Sequence, residues 1–239
     1  MALTKLCFCM CPTPDALSAS SQAAVLGRKA ALLKEAFWGP NPTITVGFLE
    51  GSQALRQRVA DAAKLWRTLG GAKVTFAFLM DPAADPTKAE IRIAFMQGKG
   101  SWSYLGTQCR HIDKDKPTMN YGWLDDNSTD DEVRSVVLHE FGHALGLIHE
   151  HQNPKDGIKW DRDAVKASLS GPPNKWDDAK IEHNMFKKYD PAAVIATGVD
   201  KDSIMMYQIP ANWTLDGFTT DFNATLSPKD KQLIQSVYF

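Results

Sequence analysis

No run of apolar residues in this chain approaches the roughly 18 to 20 that a membrane-spanning helix needs, so no membrane span is expected. An excess of one charge is missing too. The 27 basic and 28 acidic side chains leave a formal net charge of -1, which removes the electrostatic reason to expect nucleic acid or an anionic membrane as the main partner. Cysteine is scarce: of the 4 present, Cys7, Cys9 and Cys11 crowd together and only Cys109 lies far away, so a disulfide framework is not expected. The opening MALTKLCFCMCP has one lysine and a handful of apolar residues before Pro12, short of the ~7 to 15 residue apolar region of a secretory leader. We therefore expect no conventional signal peptide, and a cytoplasmic or non-classically exported protein. Internal repeats and low-complexity tracts are also absent.

What is present suits one globular unit: 239 residues, 44% hydrophobic and 23% charged, can bury a core. Residues 1–34 read as an N-terminal tail, loosely attached or helical over its Ala-, Ser- and Leu-rich part. Its three cysteines leave three readings open: a plain reduced tail, S-acylation, or a thiolate that reaches back to block a metal.

Alternating apolar residues predict strands over 43–50 (Ile44, Val46, Phe48), 73–79 (Val74, Phe76, Phe78) and 90–96 (Ile91, Ile93, Phe95). Leu55, Val59, Ala62, Ala63, Trp66 and Leu69 recur at helical spacing between the first two. A crossover helix there favours a parallel pair. The aromatic stretches 101–107 and 118–123 supply a fourth and a fifth strand. Thr129 and Glu132 form a capping box before a helix of about 130–145, whose stripe is Val133, Val136, Val137, Phe141 and Ala144. Residues 150–202 are polar, with one short helix near 176–187. Ser227, Pro228 and Asp230 open a C-terminal helix through Val237.

Chemistry concentrates in HEFGHALGLIHEHQNP. His139 and His143 stand four residues apart and project from one helix face, where both imidazoles reach one cation. Gly146 lets the chain leave the helix, so that His149 turns back as a third ligand. Three neutral imidazoles around Zn²⁺ leave a position for water, the catalytic arrangement, and Glu140 lies beside them as the base. His151 and His183 are read as solvated side chains.

The string His139 to His149 matches the metzincin signature HExxHxxGxxH. The Glu after the third histidine, together with Ser203, Ile204, Met205, Met206 and Tyr207, resembles the astacin-like branch and its SxMHY Met-turn, with Met206 replacing the usual histidine. That resemblance implies an α+β fold: a twisted, mostly parallel five-stranded sheet with two long helices, an irregular lower subdomain ending in a C-terminal helix, and an active-site cleft between. It implies a pro-like segment over 1–34 and a catalytic domain over 35–239, divided near 149 and 150. It makes Met205 the apolar floor of the site and Tyr207 a residue that binds the metal and swings to the reacting oxyanion.

GSWSYLGT resembles the strand on which such enzymes hold extended substrate, which assigns Trp102, Ser103, Tyr104, Leu105 and Gly106 to that role. For Trp102 and Tyr104 ordinary packing is the alternative. The implied activity is that of a monomeric zinc endopeptidase with one catalytic ion, hydrolysing extended polypeptides through water activated by Glu140. The competing readings are a silent zinc-containing peptide-binding module and a latent form. The resemblance also suggests secretion, although the disulfides usual in the family cannot form from these cysteines.

Overall fold

The computed structural model describes residues 36–154, 157–172, 174–188 and 199–239, together with the backbone path of 7–10. The helical leader considered for 12–33 lies outside them. Strands β2 (Thr43–Phe48), β3 (Thr75–Phe78), β4 (Ile91–Ala94), β5 (Ser101–Tyr104) and β6 (Met119–Asn120) fall within the five predicted windows. A sixth, β1 (Cys7–Met10), joins them in the order β1-β5-β6-β4-β2-β3. All pairings are parallel except β5 with β6. The α+β, mostly parallel architecture inferred from the sequence is therefore present.

Helix α1 (Gln53–Ala63) provides the crossover between β2 and β3. Ser52 starts it by accepting from Leu55 N, and a short continuation α2 (Leu65–Thr68) carries Trp66 into the core. Helix α3 (Asp130–Ala144) packs against α1 and begins with the predicted reciprocal cap: Glu132 N donates to Thr129 Oγ1 while Thr129 N donates to Glu132 Oε2. Phe141 meets Phe76 edge to face at 4.8 Å, which locks α3 onto the sheet.

A fully buried arginine stands in the middle of β4. Among the described residues Arg92 forms no ion pair, but it donates to five carbonyls, those of Lys116, Ala89, Glu90, Ile112 and Asp113, at 2.8 to 3.2 Å. These loops are thereby tied to the sheet.

The described residues after 149 contain more helix than their polar sequence suggested. α4 (Arg162–Leu169) was not anticipated, because only Val165 and Leu169 are buried and its apolar stripe is thin. The predicted short helix resolves into α5 (Asp178–Ile181) and a π-helical turn over Glu182–Phe186. α6 (Pro228–Val237) begins at Ser227 as predicted. No helix among the described residues is long and apolar enough to cross a membrane.

Candidate metal centre and active site

His139, Glu140 and His143 lie in the last two turns of α3 and are 5%, 0% and 0% exposed, so the helix carries them into the protein rather than to its surface. Gly146, with φ +93, turns the chain out of the helix. A β-carbon there would also stand 2.9 Å from the Phe37 ring, so both backbone and space select glycine. The reversal brings His149 back with its ring 4.5 Å from that of His143 and 5.3 Å from that of His139. One ligand atom from each of the three lies within 4.8 Å of the others.

Hydrogen bonds fix the tautomers. His139 Nδ1 is 2.8 Å from Ile204 O, His143 Nδ1 is 2.8 Å from Leu147 O, and His149 Nδ1 is 3.3 Å from Gln152 Oε1. Each acceptor requires a proton on Nδ1, which leaves each Nε2 with a lone pair. His139 Nε2 is buried without a hydrogen-bond partner, and the Nε2 atoms of His143 and His149 face each other at 3.1 Å. Two lone pairs at that separation repel unless a cation lies between them. Nitrogens on a tetrahedral zinc at ~2.0 to 2.1 Å stand about 3.3 Å apart, so the donor set fits that ion. Burial holds His139 down to about 4 and, with neighbouring imidazoles, keeps His143 and His149 well below the usual histidine range. All three are therefore neutral ligands near pH 7.

The family model for the astacin peptidases matches residues 33–237. The chain belongs to the astacin family. Two solved structures of myroilysin are similar to it. One is 40% identical with a TM-score of 0.80, covering 86% of this chain and 97% of that one; the other is 36% identical with a TM-score of 0.68, covering 98% and 91%. Among curated proteins no match is found. Membership makes the chain a metalloendopeptidase of a zinc-dependent family, acting on polypeptide.

The Met-turn of this astacin-family chain packs against the helix that bears His139 and His143. Met205 is 2% exposed, and a β-carbon on Gly142 would collide with its Sδ, so the thioether sits directly against the ligand helix. Asp230 of α6 holds this turn, accepting from Ser203 Oγ at 2.6 Å, Ile204 N at 2.8 Å and Ser227 N at 2.9 Å. Tyr207 lies among the imidazoles, with its ring 4.4 Å from His149 and 6.0 Å from His139. Met206 is buried in the core cluster.

Trp102, Ser103, Tyr104, Leu105 and Gly106 are all buried. The outer side of β5 is paired with β1, and Trp102 and Tyr104 pack with Cys109 and Ile112 in a small second cluster. Cys109 is free, and burial pushes its thiol up to about 12, which makes it unreactive.

The expected solvation of His183 agrees with the structure, but that of His151 does not. His151 is 1% exposed, because Trp160, Tyr207 and the π turn close over it. Gln152 was also missed. It accepts from the ligand His149, and its Nε2 donates to His183 O at 2.8 Å and Lys187 O at 3.0 Å. The one sequence signal for both was adjacency, since HEHQ follows directly on the third ligand.

Proposed function

We propose that the chain hydrolyses peptide bonds in extended polypeptides with a single zinc ion held by His139, His143 and His149. The observation that carries this is the convergence of three Nε2 lone pairs, each fixed by an acceptor at Nδ1. Zinc, when bound, supplies a Lewis acid that makes a water more acidic and polarises a peptide carbonyl. Glu140, buried next to the first ligand, takes the proton of the attacking water and delivers it to the leaving amine. Tyr207 donates a hydrogen bond to the oxygen that becomes negative, an interaction made only in the transition state and therefore effective on kcat. Met205 is the apolar floor, and the Trp102 to Gly106 segment is the strand to which substrate backbone pairs. The catalytic domain spans 35–239, with the cleft between an upper part to 149 and a lower part from 150. Glu140→Gln should keep stoichiometric zinc while cleavage of an unfolded protein collapses; retained turnover removes Glu140 from this role.

A latent state is the second reading, and one observation favours it. Cys7, Phe8, Cys9 and Met10 pair in parallel register with Ser101, Trp102, Ser103 and Tyr104, taking the backbone groups that a bound peptide would need. Segment 1–34 then acts as a pro-like segment. Removing it should raise activity, and unchanged activity would refute latency.

A further inference from the structure

Two residues past the third ligand, His151 is buried and has no part in the chemistry just described. Its Nε2 lies 2.7 Å from Asn184 O, and since a carbonyl only accepts, that nitrogen carries the proton and Nδ1 the lone pair. Asn184 belongs to the π turn, where Lys187 N bonds to Glu182 O across five residues, so an irregular stretch of helix presents the anchoring carbonyl. Trp160 meets the imidazole edge-on at 6.0 Å. The ring is thus held by a hydrogen bond and by an aromatic neighbour. Against it rests Tyr207, with centroids 4.6 Å apart and planes 31° from parallel. His149 completes a triangle, 5.2 Å from His151 and 4.4 Å from Tyr207. The phenol therefore occupies the angle between two anchored imidazoles.

A wall alone would be served as well by phenylalanine. Instead His151 keeps a buried Nδ1 with no hydrogen-bond partner, which costs desolvation free energy that an apolar ring would avoid. A donor that reaches this atom in another step of the cycle accounts for it, and the neighbouring phenol hydroxyl is such a donor.

We infer that His151 is a positioning residue for Tyr207: its ring fixes where the phenol rests, and its Nδ1 receives the phenol hydroxyl whenever that hydroxyl is turned away from the reacting centre. This rests on the role proposed above for Tyr207. The test is a double-mutant cycle in the full chain with Y207F, H151F and the pair, measuring kcat, KM and zinc content. The phenolate-to-metal absorption of the copper(II)-substituted protein, recorded alongside, needs no turnover.

H151F should lower kcat by ~10- to 100-fold with KM and zinc content kept, and should weaken or move the absorption band. In the Y207F background the same change should alter kcat by less than ~2-fold. An equal loss in both backgrounds, or a wild-type band and kcat in H151F, overturns the inference while leaving Tyr207 its role. A wild-type kcat in Y207F removes the Tyr207 role and the inference together. Should H151F not fold, H151N run through the same cycle decides by the same criteria.

Discussion

Removing the Asp230 carboxylate tests how the Met-turn supports the ligands. It accepts three hydrogen bonds, from Ser203 Oγ, Ile204 N and Ser227 N, at 2.6 to 2.9 Å. Bonds to a charged group contribute ~1.5 to 3 kcal/mol each, so the gross loss in Asp230→Ala is about 6 kcal/mol. Burial offsets part of this, since it raises the carboxyl pKa against the lowering effect of those donors. We expect a net loss of about 4 kcal/mol for Asp230→Ala. Asp230→Asn should lose only about 1 to 2 kcal/mol, because one amide oxygen can serve both backbone donors while Ser203 Oγ rotates to accept from the amide. Urea unfolding of the metal-free protein measures both. Ile204 O also orients His139, so zinc affinity of the Ala variant in chelator competition should fall ~10-fold. A loss within about 1 kcal/mol for Asp230→Ala, or equal losses for the two variants, would refute the reasoning.

Three further outcomes are expected. Gln152→Ala frees the Nδ1 of His149 and should lower zinc affinity by ~10-fold in chelator competition, with kcat of the fully loaded protein little changed. Arg92→Lys cannot reach all five carbonyls and should cost about 3 kcal/mol in thermal unfolding. Burial puts His139 and His151 at about 4 and His143 and His149 well below their ordinary value, so the unfolded chain binds protons first as pH falls through ~6.5. The metal-free protein should then lose up to ~1.4 kcal/mol per pH unit for each of these groups down toward pH 4, against a smaller opposite contribution from Glu150 and Asp230, whose burial raises theirs. A urea midpoint that stays level between pH 7 and 4.5 would contradict this.

The ligand set was legible because its chemistry is local. Offsets of four and six residues along one helix and one glycine turn are enough to point His139, His143 and His149 at one place, although remote contacts hold them there. The first three predicted strands were legible for the same reason, since each alternates within a few residues, and the other two from their aromatic, β-prone composition. His151 was not, because its burial is decided by Trp160, Asn184 and Tyr207, none of which is a sequence neighbour. β1 escaped notice too, because four residues carry no pattern that names a partner strand more than ninety positions away. Asp230 was read correctly as an acidic residue in the first turn of the C-terminal helix, but its second task, holding the Met-turn, depends on a tertiary approach that no spacing records.

The ligand helix is held by bonds from three remote aromatics. Trp66 Nε1 donates to Leu138 O, Trp38 Nε1 to Ala144 O, and the Tyr238 hydroxyl to Leu145 O. The last of these joins residues 93 positions apart. While the ribosome is still adding that stretch, α3 has its histidines but not the clamp at its end, nor Asp230 to steady the turn beneath. Proteolytic competence is thereby tied to synthesis past Asp230 and Tyr238, and a nascent chain stalled short of residue 230 would carry the whole zinc signature without a settled place to hold the ion.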